Sequence, residues 1–268
     1  MQYDPIKKSL GEVFNRKPFL RILFYKLLDL LLLRTWHIKR AVRQNFKNET
    51  RNALDAGMGF GQYSFYLARK FPKWKIRGVD VKEEQVADCN GFFQKAGLTN
   101  AAFALQDLTK LDEKEVYDFI LSVDVMEHIE EDDAVFRNFA NALRTGGLLL
   151  ISTPSDKGGS DVHEHSEEGS FVDEHVRDGY NIDAIQAQLR KAGFSKTAAH
   201  YSYGFPGKIA WKLSMKYPIL LLNASKAFIV LLPFYYLITF PFCLILNAWD
   251  LYGTHKTGTG LIVKGVKS

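Results

Sequence analysis

Residues Leu54-Asp55-Ala56-Gly57-Met58-Gly59-Phe60-Gly61 constrain the fold more than any other stretch of this 268-residue chain. They read as a short apolar strand entering a glycine-rich turn that opens a helix. Glycine suits such a turn because a Cβ would hold a ligand off the backbone and would penalise positive φ. In an open α/β sheet, this is where the backbone approaches a nucleotide-like ligand. Many nucleotide-binding folds share Gly57-x-Gly59-x-Gly61, so the turn alone does not name the ligand. A dinucleotide fingerprint would place Gly or Ala at position 62, and Gln62 stands there instead.

From Asn52 onward, strand and helix alternate. The pattern predicts strands over 53–56, 75–80, 101–106, 119–123 and 148–153. Helices are expected over 62–71, ended by Pro72, over 82–96, stopped by Gly97, and over 131–144, closed by Gly146-Gly147. Asn181 caps a further helix to Ala192, followed by a sixth strand over 194–203 and a terminal strand over 261–267. Helices of this length between strands imply right-handed crossovers and a mostly parallel, Rossmann-like sheet of seven strands, covered on both faces.

Two acids sit where a bound nucleoside would need them. Asp80 closes the second strand in Arg77-Gly78-Val79-Asp80, where a short carboxylate can accept from both ribose hydroxyls. Asp107 follows the third strand. The fourth strand runs into Val123-Asp124-Val125-Met126-Glu127-His128-Ile129, and Gly146-Gly147 precede the fifth. In this order the segments resemble a class I S-adenosylmethionine-dependent methyltransferase of the type 11 group, over roughly residues 52–203 and the last strand. The resemblance implies S-adenosylmethionine as cofactor. It implies that Gly57 and Gly59 lie against the cofactor's methionine and adenosine moieties, and that Asp55 orients the loop near its amino group. Asp80 would hold the ribose hydroxyls, with Val81 beside the adenine. Asp107 would accept from the adenine amino group, with Leu108 against the ring. Val123 and Asp124 would line the path to the sulfonium. Met58 departs mildly from the family, which often has a small residue or cysteine there.

Methyl transfer from a sulfonium asks mainly for positioning, and for a base where the acceptor must lose a proton. His163, His165 and His175 lie in the polar loop after the fifth strand, which emerges at the same sheet edge as the glycine turn. They are the candidate bases or acceptor contacts. The alternative is a solvated acidic loop with local hydrogen bonds. No metal site is assigned.

Charge is distributed unevenly. Residues 1–51 carry twelve Lys/Arg against four Asp/Glu, and residues 201–268 seven against one, whereas the middle is acidic. Both basic ends are also the most apolar parts of the chain, a combination suited to an anionic membrane surface rather than a nucleic acid. Pro18 to Phe46 shows helical spacing of leucines and phenylalanines, giving a helical cap of one or two helices over 1–51. The catalytic domain is expected over 52–204 and 256–268.

Between them, 205–255 forms an apolar insertion, with no charged residue from Ala227 to Trp249. Pro218, Pro233 and Pro241 are expected to break it into pieces of about a dozen residues, which fit interfacial or re-entrant helices better than spans. Membrane contact and a homodimer interface are the two uses weighed for it. The functional expectation is a methyltransferase acting on a hydrophobic or lipid-like acceptor, cytoplasmic and peripheral on the inner face of a membrane. A soluble enzyme for a small hydrophobic molecule and a non-catalytic membrane scaffold are the alternatives. Two cysteines, Cys89 and Cys243, suit a reducing compartment.

Overall fold

A computed structural model describes residues 18–158 and 176–268. Two helices open the described chain, α1 (Pro18–Leu31) and α2 (Leu33–Asn45), separated at Leu32 by one extended residue. Strands β1 (Asn52–Ala56), β2 (Lys75–Asp80), β3 (Ala101–Leu105) and β4 (Tyr117–Val123) alternate with α3 (Gln62–Lys70) and α4 (Glu83–Lys95). Then follow α5 (Asp132–Ala142), β5 (Leu143–Pro154), α6 (Ile182–Ala192), β6 (Phe194–Ser202) and, last in the chain, β7 (Gly260–Lys267).

The seven strands form one sheet in the order β3-β2-β1-β4-β5-β7-β6. All pair in parallel except β7, which runs antiparallel between β5 and β6. Strand residues alternate between two apolar layers, as the pleat dictates. Leu54, Ile120, Leu149 and Ile151 face a core under α5 and α6. Ala53, Phe119, Leu121 and Leu150 face a second core with α2, α3 and α4. Because β1 pairs with β2 on one side and β4 on the other, the crossovers diverge at β1. That divergence opens a crevice at the carboxyl ends of these three strands.

The largest boundary departure from the sequence expectation is at the start of β5. Helix α5 ends at Ala142, and β5 begins at Leu143 rather than Leu148. Leu143 pairs with Tyr117, and the ladder resumes at Leu148 with Phe119, so residues 144–147 form a bulge in the strand. Elsewhere the caps act as expected. The Asn181 side chain accepts from the amides of Asp183 and Ala184, and Gly193 ends α6 in the left-handed region.

The apolar insertion is a helical hairpin, which corrects the expectation of broken pieces. Its first arm runs as α7 (Phe205–Trp211), a π-helical turn (Lys212–Lys216) and α8 (Tyr217–Ala224) without interruption. The wide turn absorbs the N–H that Pro218 lacks. After a 3-10 turn (Lys226–Val230), the chain returns as α9 (Leu232–Tyr252), 21 residues long, and roughly 30 Å at helical rise. Pro233 lies in the first turn of α9, where no N–H is needed. Pro241 lies inside α9 on its exposed side, so the bond it removes is at the helix surface and the helix continues.

Candidate functional site

The glycine turn is built by its neighbours. The amides of Gly57 and Met58 both donate to the Val79 carbonyl, binding the turn to the end of β2. Gly57, Gly59 and Gly61 all have positive φ, of 78°, 52° and 72°. At Gly57 the requirement is also steric, because a Cβ would lie 2.3 Å from Cγ2 of Val125. The loop after β4 therefore packs directly on the turn after β1. Gly57 and Gly59 stay partly accessible and carry no Cβ, which fits the close backbone approach an adenosine-bearing cofactor needs.

Asp80 stands beside the turn. Its Oδ2 accepts from the Gly59 amide at 3.0 Å and its Oδ1 from the Lys82 amide at 3.0 Å. Val81 and Leu105 expose 60% and 58% of their surface at this edge, where apolar side chains can flank a flat ring. Leu105, the residue paired with Asp80, is an addition to the sequence-based set. Leu108, by contrast, is buried in the core below α5. Asp107 Oδ1 accepts from the amide and hydroxyl of Thr109 at 2.9 and 2.7 Å, which with Lys110 holds its carboxyl below the usual range. Asp55 is buried and accepts from the Ser64 hydroxyl at 2.6 Å. Burial pushes its carboxyl up to about 6, against the lowering effect of Ser64.

The other side of the crevice holds a polar constellation. Asp124, after β4, has φ of 52°, and so does Tyr203, after β6. Non-glycine residues in this region are strained and concentrate at functional sites. Arg34, from α2, forms an ion pair with Asp124, and its amide donates to the Tyr203 hydroxyl at 3.1 Å. About a third of the Arg34 side chain, and of Asp124's, remains accessible. The Nε of Arg34 is buried without a hydrogen-bond partner, unlike nearly all buried donors. Val123 lies half-buried just below. Behind Asp124, the buried Glu127 accepts from the Thr153 hydroxyl at 3.0 Å. Burial, and then the Asp124 charge, hold the Glu127 carboxyl far above the ordinary glutamate range, at about 8.

The structure thus brings Asp55, Gly57, Gly59, Asp80, Val81, Val123 and Asp124 to one end of the sheet, with Asp107 and Leu108 following β3. His163, His165 and His175 lie outside the described residues. Arg34, Tyr203 and Glu127 escape sequence reasoning, because helix position and strand end alone do not show that they converge. The left-handed backbone at Asp124 and Tyr203 has no sequence signal at all.

Comparison with known proteins bears on the family and the fold. A family model described as a methyltransferase domain matches residues 47–197. The chain is similar to (S)-coclaurine N-methyltransferase of Papaver somniferum, 29% identical over 38% of this chain and 29% of that protein. It is similar to phosphoethanolamine N-methyltransferase 1 of Arabidopsis thaliana, 29% identical over 56% of this chain and 30% of that protein. Each match therefore spans under a third of the relative's length. Among solved structures, phosphoethanolamine N-methyltransferase 2 of Haemonchus contortus in complex with S-adenosyl-L-methionine superposes with a TM-score of 0.62. It is 18% identical, covering 97% of this chain and 59% of that one.

Proposed function

The chain belongs to the class I S-adenosylmethionine-dependent methyltransferases, and on that premise we propose that it methylates an acceptor with a long apolar portion at a membrane surface. When bound, the cofactor supplies an electrophilic methyl group on a sulfonium. The glycine turn and Asp80 would hold its adenosine end, and Asp124, Arg34 and Tyr203 would surround the space left for the acceptor. The relatives named above are N-methyltransferases of small amines by name. The acceptor of this chain differs in needing a way out of lipid.

One observation carries the lipid part of the reading. Helix α9 is amphipathic in the inverted sense. Its inward face carries its polar residues, together with the buried Cys243. Tyr235 and Tyr236 donate their hydroxyls to the carbonyls of Leu213 and Ser214 at 2.7 and 2.8 Å, and Asn247 and Asp250 are buried. Its outward face is a continuous apolar stripe of Phe234, Leu237, Ile238, Phe242, Ile245, Trp249 and Tyr252. Among the described residues, α9 is the one helix long and apolar enough to cross a membrane, and 11% of its most apolar stretch is buried. Leaving such a stripe in water forgoes on the order of 10 kcal/mol, comparable to the whole stability of a domain. A partner must therefore cover it. Trp249 and Tyr252 at one end suit the headgroup level, and Lys208, Lys212 and Lys216 recur every fourth residue along the first arm.

Both arms of the hairpin join the sheet at the carboxyl edge, one after β6 and the other before β7. Lipid contact would therefore set the crevice against the headgroups, with the acceptor's tail remaining in lipid. Cys89 and Cys243 are both free and buried, in keeping with a cytoplasmic protein docked on the inner face of a membrane. Vesicle co-sedimentation of the full chain tests the reading. Leu237→Lys with Phe242→Lys changes only exposed positions and should abolish binding to anionic vesicles. Unchanged binding, or a monodisperse dimer with no affinity for vesicles, would contradict it.

A further inference from the structure

Helix α1 repeats the inversion seen in α9, and it does so directly over the cofactor turn. Its inward side packs Ile22 and Phe24 on the core, but its two most buried residues, Arg21 and Tyr25, are polar anchors. Arg21, buried, donates through Nη2 to the Phe60 carbonyl at 2.7 Å and through Nη1 to Asp88 at 2.6 Å. Its Nε donates to the Tyr25 hydroxyl at 2.7 Å, and that hydroxyl also donates to the Phe60 carbonyl. Asp29, near the end of α1, accepts from the Gln62 side chain at 2.8 Å. Phe60 lies between Gly59 and Gly61, and Gln62 is the first residue of α3. Helix α1 thus grips the turn and the helix N-terminus that follows it.

The outward residues of α1 are Phe19, Leu23, Lys26, Leu27 and Leu30, which are the exposed residues of the helix. At about 100° per residue they fall within one third of the helix circumference. Four large apolar side chains beside one lysine is the composition of a helix that lies in an anionic lipid interface. A soluble helix would place these residues inward and Arg21 outward. The surrounding segment has the matching charge, since residues 1–51 are strongly basic.

We propose that the outer face of α1 is a second bilayer contact, and that seating it on lipid steadies the Arg21–Tyr25 grip on Phe60 and so tightens cofactor binding. This deepens the membrane reading above and rests on it. The coupling needs no long path. The residues that face lipid and the residues that hold the turn are one or two positions apart on a single 14-residue helix. In water the exposed stripe opposes ordering of α1. On a bilayer the same stripe favours it, and the turn inherits the order.

The test measures the dissociation constant of S-adenosylmethionine for the full chain by calorimetry, without vesicles and with two kinds. One is pure phosphatidylcholine and the other contains a phosphatidylglycerol fraction. We expect the anionic vesicles to tighten binding roughly fivefold or more, within the usual range of coupling between sites. Leu23→Ser with Leu27→Ser should keep the vesicle-free affinity and lose the tightening. Tyr25→Phe should weaken cofactor binding under every condition. Equal tightening in the serine variant would overturn the proposal. So would no tightening in a wild-type chain that sediments with the vesicles. A chain that never sediments would instead overturn the membrane reading itself. Leu23→Trp gives a measurement independent of the serine variant's folding. Its emission should shift to the blue and be quenched by brominated lipid on vesicle binding. An unshifted tryptophan, or one shielded by a second copy of the chain or by residues 1–17, would contradict lipid contact.

Discussion

The Asp250 carboxylate, near the end of the apolar helix α9, accepts the Gly204 amide through Oδ2 at 2.7 Å. The same fully buried carboxylate accepts from the amides of Tyr203 and Gly207, each at 3.2 Å, and lies 3.2 Å from His37 Nε2 on α2. A Cβ on Gly207 would stand 2.6 Å from Oδ2, so the cradle fits only glycine. Through one residue, the hairpin is fastened both to the strained Tyr203 beside the crevice and to the helix that carries Arg34.

Removing that carboxylate should be costly. Asp250→Ala leaves three amides without their acceptor in a buried site. Breaking one side of a buried charged network costs about 3–5 kcal/mol. At about 2 °C or more per kcal/mol for a domain of this size, the melting temperature should fall by at least roughly 6 °C. Differential scanning calorimetry checks this, and a fall of a degree or less would mean the hairpin is held by its apolar contacts alone.

Gly57 tests the turn. Gly57→Ala adds a Cβ that overlaps Val125 and forces alanine into the left-handed region, at about 1–2 kcal/mol for the backbone alone. Cofactor binding should be lost and the melting temperature lowered. Adding Val125→Ala should recover the steric part of the stability and leave the backbone part unrecovered. Full recovery would show that φ at this position is not a constraint.

Asp80→Asn keeps one acceptor oxygen, so it can accept from only one of the Gly59 and Lys82 amides, and it loses the charge. Hydrogen bonds to a charged group are worth about 1.5–3 kcal/mol, so affinity for S-adenosylmethionine should drop roughly 10- to 100-fold, and the local amide left without its acceptor should lower the melting temperature as well. Calorimetric titration measures it. An unchanged affinity would place the ribose elsewhere.

Glu127 gives the pH dependence its sign. Its folded pKa, near 8, is above the ordinary value of 4.5, so between these values the folded chain keeps a proton that the unfolded chain releases. Its contribution to stability is therefore complete at low pH and is lost as pH rises through about 8. Glu127→Gln retains an acceptor for Thr153 and removes the titration. Relative to wild type, the variant should become progressively more stable from about pH 5 to about pH 8.5, read as the difference in melting temperature. A difference that does not vary with pH would mean Glu127 is ionised when folded.

Much of the sheet is legible in the sequence because each strand is a short apolar run bounded by Gly, Pro or Asn. The strand over 75–80 and the Asn181 cap follow from such local signals. The start of β5 does not, because Leu143 joins the sheet through its partner Tyr117, a contact made 26 residues away. The prolines of the insertion read as breaks because the penalty assumes an ordinary helix. A π-helical turn and an exposed position remove the penalty at Pro218 and Pro241. The pairing of Arg34 with Asp124 joins residues from a helix and a strand end, 90 positions apart, and no periodicity points to it. Inverted amphipathicity was hidden for a related reason. Spacing shows that an apolar stripe exists, and only packing shows which way it faces.

A class I methyltransferase site that serves an acceptor drawn from lipid must leave its methyl group in the lipid phase. The most direct measurement incubates the full chain with methyl-labelled S-adenosylmethionine and a total lipid extract presented as vesicles, followed by mass analysis of the organic phase. Label should appear in a lipid-soluble product and be lost in the Leu237→Lys, Phe242→Lys variant that still binds the cofactor. Label confined to a water-soluble molecule, and equal in the two proteins, would contradict it.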